Sequence, residues 1–94
     1  MKFTSIHIAI DVFRDSLDPE AFNVIYKTFS PRLYYLCLRY LKNDADAQDV
    51  LQETFVTIYH KIASFQGQGS FEGWMRRIAV NNCLSKLRIS KKQL

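Results

Sequence analysis

Glycine, proline, cysteine and histidine are all scarce in this chain of 94 residues: three, two, two and two. So little glycine and proline excludes a collagen-like or low-complexity chain. The cysteines, Cys37 and Cys83, lie far apart and match no Cys/His metal spacing. Both fall in helical patterns, which favours buried free thiols over a disulfide. The histidines, His7 and His60, stand in no Ser/His/acid or Cys/His arrangement, and the carboxylates form no calcium-loop series. Gly67-Gln68-Gly69 lacks the Gly and Lys that complete a nucleotide-binding loop. No enzyme activity, cofactor or metal is expected. No stretch approaches the roughly 18 apolar residues of a membrane span. The apolar run after Lys2 is broken by His7 and Asp11, unlike a signal peptide. The expectation is a cytoplasmic protein with no membrane partner.

What the chain does have is apolar and aromatic residues, 48% and 14% of the total. That is enough for one small folded domain with little surplus stability. Its charge is unevenly placed. From residue 70 onward there are six Lys or Arg against one acid, Glu72, a net +5. The 69 residues before it carry seven basic and eight acidic groups, a net −1. The protein's whole +4 therefore sits in the last quarter. A local positive field beside aromatics and an amide suits nucleic acid: phosphates supply affinity, and stacking and base edges supply selectivity.

Apolar spacing predicts helices throughout. In residues 1–17, Ile6, Ile8, Ile10 and Val12 alternate as in a strand, while Ile6, Ile10, Phe13 and Leu17 fit one helical face. With no second strand to pair with, the helix is favoured, with frayed first residues. Asp18-Pro19-Glu20 is a helix start: a capping acid, a first-turn proline and an acid on the positive dipole end. Phe22, Ile25, Phe29, Leu33, Leu36 and Tyr40 then form a core stripe. Ser30-Pro31 predicts a bend between two nearly continuous helices. After Lys42-Asn43-Asp44 a further stripe runs through Ala47, Val50, Leu51, Phe55, Ile58, Tyr59 and Ile62. Its opposite face groups Asp49, Gln52 and Glu53, three and four apart. A loop with two glycines follows, and Ser70 can cap a last helix. There Phe71, Trp74, Met75, Ile78, Ala79, Val80, Cys83, Leu84 and Leu87 point inward. Arg76, Arg77, Asn81, Lys86 and Arg88 are left outside, and residues 90–94 fray. The fold class is all-α, a small bundle of three to five helices.

Three runs in order resemble region 2 of bacterial RNA polymerase sigma factors, the extracytoplasmic-function group in particular. They are Asp49-Val50-Leu51-Gln52-Glu53-Thr54-Phe55, then Ser64-Phe65-Gln66-Gly67, then Ser70-Phe71-Glu72-Gly73-Trp74-Met75-Arg76-Arg77-Ile78-Ala79-Val80-Asn81-Asn82. Ala21-Phe22, Tyr26 and Pro31-Arg32-Leu33-Tyr34 fit the start of that domain. The resemblance implies a transcription initiation factor that docks on core RNA polymerase and holds the melted promoter −10 element. Asp49, Gln52 and Glu53 match the surface by which such domains dock on the clamp helices of the polymerase largest subunit. Phe65, Gln66, Gly67, Gln68, Gly69 and Ser70 match the loop that captures a base flipped from the non-template strand. Asn81 matches the asparagine beside that base in some members. Arg76, Arg77, Lys86 and Arg88 match positions that hold the DNA backbone. Gln48 and Ser85 depart from the Glu and Asp of many members. By the same resemblance, residues 1–17 are an N-terminal extension, residues 18–94 the region 2-like domain, and the helix-turn-helix domain that reads the −35 element is absent.

The physics agrees with that division of labour. Extruding a base costs a few kcal/mol, and a stacking aromatic returns roughly 1–3 kcal/mol per base. Asn both donates to and accepts from a base edge, which Arg on a phosphate does not do. Core packing is the competing role for the aromatics. It is favoured for Phe71 and Trp74, which lie on the apolar stripe, and is an even alternative for Phe65. Two other functions stay open: a double-stranded DNA binder with its last helix in the major groove, and a protein-interaction bundle held by an anti-sigma partner. Preference for duplex over single strand separates the first. Binding to such a partner without DNA binding separates the second.

Overall fold

Four short polar side chains start four helices. The Ile8 amide donates to Ser5 Oγ at 3.2 Å, and the Ala21 amide to Asp18 Oδ2 at 3.0 Å. The Asp46 amide donates to Asn43 Oδ1 at 2.9 Å, and the Gly73 amide to Ser70 Oγ at 2.9 Å. Each such cap satisfies an orphan amide and contributes about 1 kcal/mol. In the computed structural model the described residues are 3–67 and 69–93, with side chains through Ile89. The helices are α1 (Ile6–Ser16), α2 (Pro19–Leu41), α3 (Asp44–Lys61) and α4 (Phe71–Gln93), with a single 3-10 turn at Ile62–Ser64. Among the described residues there is no strand, and no helix is long and apolar enough to cross a membrane. The all-α bundle is as expected.

Helices α1 and α2 end without glycine. Leu17 and Lys42 take left-handed conformations, φ 54° and 57°, and their amides donate to the carbonyls of Phe13 and Leu38, both at 2.8 Å. A side chain at such a position costs roughly 1–2 kcal/mol. At Leu17 the cap also lifts the side chain out of the stripe it was expected to complete, leaving it exposed.

Helix α2 runs unbroken through Pro31, where a bend between two helices was expected. Pro31 is exposed, while Ile25, Phe29, Leu33, Leu36 and Cys37 are buried on the inner face. Burying a large apolar side chain is worth about 1.5–3 kcal/mol. Several of them outweigh the roughly 3 kcal/mol that an interior proline costs. Tyr34 on α2 donates its hydroxyl to the Asp44 carboxylate in the first turn of α3. That hydrogen bond, the largest cause, raises the Tyr34 pKa.

The core joins all four helices. Phe13, Ile25, Leu33, Val50, Ile58, Ile62 and Met75 are fully enclosed. Phe3, expected in a frayed end, is 5% exposed and belongs to the same core. Helix α4 continues to Gln93, through much of the tail expected to fray. Cys37 and Cys83 are buried free thiols. Burial, then the neighbouring Cys83, pushes the Cys37 thiol up to about 12. Burial also raises Cys83.

Candidate nucleic-acid interface

The loop after α3 is tied down at both ends by aromatic packing. Phe65 donates its amide to the Ile62 carbonyl at 3.0 Å. Its ring centroid lies 5.3 Å from that of Phe71 and 5.4 Å from Trp74. Phe71 packs on Trp74 at 5.6 Å and on Phe29 of α2 at 6.1 Å. Phe65 and Phe71 are each only 7% exposed. This is the core-packing role that the sequence left even for Phe65 and favoured for Phe71 and Trp74. Between the anchors Gly67 and Gly69 adopt φ 81° and 78°, with nothing within 4 Å of a would-be Cβ. These glycines serve the backbone conformation, and the space beside them is open. Gln66 is exposed, Ser70 is the α4 cap, and Gln68 lies outside the described residues.

The open space forms a groove of about 570 Å³. Its apolar lining comes from Ile10, Phe29, Phe65 and Phe71. Its polar lining comes from all sides: His7, Asp11 and Arg14 of α1, Thr28 and Arg32 of α2, and Glu72 at the start of α4. Arg32 pairs with Glu72 at 2.8 Å and lies 5.8 Å above the Phe29 ring.

A second groove, of about 340 Å³, runs along the outer face of α4 between Gly73, Arg76, Arg77, Val80 and Asn81. Arg76, Arg77 and Asn81 are exposed. None of the three makes a hydrogen bond or ion pair with another described residue. Their charge and amide are uncompensated, which is what binding a phosphate and a base edge requires. Asn81 does not share the loop groove. Roughly 16 Å of helix separates it from Ser70, at about 1.5 Å of rise per residue. The loop and Asn81 therefore line two different grooves.

The other expected backbone cations differ from Arg76 and Arg77. Arg88 is exposed and donates to Ser85 Oγ at 3.2 Å. Lys86, also expected on the DNA backbone, turns the other way. Its ammonium lies 3.5 Å from Asp46 and 3.8 Å from Asp49, bridging α4 to α3. Helix α4 packs along α3, whose Asp46 and Asp49 take up the Lys86 ammonium.

Asp49, Gln52 and Glu53 are all exposed on α3. Asp49 and Gln52 border a groove of about 530 Å³ with an aromatic lining of Phe22, Tyr26, Phe55 and Tyr59. The Tyr26 and Phe55 centroids are 4.7 Å apart, and Phe22 reaches Tyr59 at 5.7 Å. Tyr26 remains 41% and Tyr59 39% exposed. Sequence reasoning missed this groove by placing Tyr59 inside. It also missed the α1 wall of the loop groove, although His7, Asp11 and Arg14 stand at helical spacing. A third omission is Asn82, whose side-chain amide donates to the buried Thr54 hydroxyl at 3.3 Å, linking α4 to α3. Among the described residues no cluster of three His, Cys, Asp or Glu could hold a metal ion.

A family model described as Sigma-70 region 2 matches residues 25–93. Over 74 residues the chain is 36% identical to the ECF RNA polymerase sigma factor SigW of Bacillus subtilis, covering 79% of this chain and 40% of that protein. It is 37% identical over 70 residues to the ECF RNA polymerase sigma-E factor of Haemophilus influenzae, covering 74% and 36%. The chain thus spans about two fifths of the length of these relatives. One solved structure it superposes on is the NMR structure of the complex formed by an engineered region 2 of sigmaE with GTAAAA. The TM-score is 0.86 at 28% identity, over 96% of this chain and 93% of that one.

Proposed function

This chain belongs to the sigma-70 region 2 family, and from that premise we propose that it acts in transcription initiation, docking on core RNA polymerase and holding the unpaired strand of a melted promoter −10 element. The observation that carries the reading is the uncompensated outer face of α4, where Arg76, Arg77 and Asn81 line one groove. Arg76, Arg77 and Arg88 take phosphates. The loop, with Phe65 and Phe71 as its floor, receives a flipped base, and Asn81 contacts a neighbouring base of the same strand. The structural neighbour's complex with GTAAAA supports this assignment.

Holding a base is the essential step. An unpaired base restacks unless its faces and edge find partners, and extruding it costs a few kcal/mol. An apolar groove and nearby cations supply those partners from a scaffold whose aromatics are already packed. On the other side of the bundle, Asp49, Gln52 and Glu53 dock on the clamp helices of the polymerase largest subunit, with the aromatic groove beside them taking apolar side chains. An anti-sigma protein would compete for that same groove, as its half-exposed Tyr26 and Tyr59 suit a protein partner.

The test is a titration of the chain with single-stranded DNA across a fourfold rise in salt. With about three phosphate contacts and a slope near −0.7 each, affinity falls roughly 20-fold. Salt-independent binding, or none, contradicts the nucleic-acid role.

A further inference from the structure

Arg32 lines the loop groove with Thr28 and Phe29, and its face of α2 continues away from that groove. Thr28, Arg32, Tyr35 and Arg39 stand four, three and four residues apart, so they share one helical face. Lys42 follows three residues later, at the end of the helix. All five are exposed. Tyr35 is 63% exposed, more than any other large apolar side chain among the described residues. Its ring meets that of Tyr34 at 5.5 Å, near edge-to-face. From Lys27 to Lys42 the chain carries four basic residues and no acid. Arg32 pairs with Glu72 and its side chain is still 60% accessible. The side chains of Arg39 and Lys42 make no hydrogen bond or ion pair with another described residue. Basic residues in a last turn favour the helix dipole, but an open tyrosine ring between them adds nothing to that.

We propose that this face of α2 is a track for unpaired DNA that leaves the loop groove past Arg32, with Arg39 and Lys42 on backbone phosphates and Tyr35 under a base. The inference rests on the base-capture reading above and extends it from the captured base to the strand that flanks it. Free cations neutralise phosphates, and an exposed ring between them offers a stacking surface, the combination by which single strands are bound without regard to sequence. Helix rise puts Lys42 about 15 Å from Arg32, a distance that about four nucleotides span at 3.4 Å each. The track therefore adds affinity and reads no base edge. Paired DNA keeps its bases stacked inside the helix and presents no base face to Tyr35.

The experiment is fluorescence anisotropy of the full chain with GTAAAA and with the same hexamer extended by four thymidines at its 5′ or its 3′ end, across a salt series. In the wild type one of the two extensions raises affinity about tenfold. Its salt slope exceeds that of the hexamer by about 1.4, two contacts at 0.7 each. Arg39→Gln combined with Lys42→Gln removes the excess slope and cuts the gain to about twofold or less. Tyr35→Ala cuts the gain about threefold and keeps the excess slope. Lys27→Gln, on another face of α2, leaves the gain intact. Every variant binds the hexamer within about twofold of the wild type and keeps its helix content by circular dichroism. No gain from either extension, or a gain that survives the double substitution, overturns the inference, and hexamer binding then leaves base capture standing. An equal gain when the extension is paired with its complement also overturns it. A wild type that binds none of the strands overturns both readings.

Discussion

Two groups of four aromatic rings differ in how far they are closed. Phe29, Phe65, Phe71 and Trp74 are packed behind the loop, with Phe65 and Phe71 almost sealed. Phe22, Tyr26, Phe55 and Tyr59 meet under the acidic face of α3 and leave both tyrosines partly open. The closed group is a scaffold. It holds the loop in place, with the glycine backbone left open to the groove beside it. The open group is itself a surface. The same residue type thus does two jobs, decided by its neighbours: the loop folds back over one group, and no described element covers the other.

The strongest way to break this contrast is truncation within each group. Phe65→Ala is expected to cost about 3–5 kcal/mol, as for other buried Phe, while Tyr26→Ala costs about 1 kcal/mol because much of its ring is already in water. Urea unfolding measures both, and equal losses would erase the distinction. Next in size, Arg76→Gln combined with Arg77→Gln should weaken single-strand binding about tenfold and reduce the salt slope by about 1.4. Unfolding free energy should stay within about 0.5 kcal/mol, since neither side chain has a partner to lose. Asp49→Ala with Glu53→Ala sharpens the other side. Binding to the polymerase clamp helices, read by surface plasmon resonance, should drop about fivefold, or roughly 1 kcal/mol, with single-strand affinity nearly unchanged. An unaltered clamp interaction would remove the docking role from that face. The smallest effect belongs to Lys86→Ala. Its pairs with Asp46 and Asp49 are partly exposed, so the loss of stability should be below about 1 kcal/mol and vanish at high salt. A larger loss of DNA affinity than of stability would show that Lys86 also contacts the strand.

What was legible in the chain was local chemistry. Asp18-Pro19-Glu20 and Ser70 mark helix starts because a cap needs only a residue and the amide three positions on. The stripe of Ile25, Phe29, Leu33 and Leu36 is legible because helical period alone sets it. What was hidden depends on which helix lies beside which. Lys86 looked like one more outward cation until α3 supplied Asp46 and Asp49. Tyr40 and Tyr59 fit their stripes by spacing, yet stand where the bundle leaves them exposed. Phe3 carries no periodic signal, since it precedes its helix, but is drawn into the core. At the site, the cations and the glycine loop were visible. That the loop and Asn81 line different grooves was not, because the loop groove is walled by α1 and α2, which the sequence does not place beside the loop.

The central claim is that this bundle binds strands whose bases are unpaired and distinguishes among those bases. It is tested most directly by competition, with labelled GTAAAA single strand bound to the chain and challenged by the same sequence as a duplex and by a scrambled single strand, at two salt concentrations. Both competitors should displace it poorly, and the gap to the scrambled strand should persist at the higher salt, where phosphate contacts are screened and base contacts remain. Equal displacement by the duplex or by the scrambled strand would contradict it.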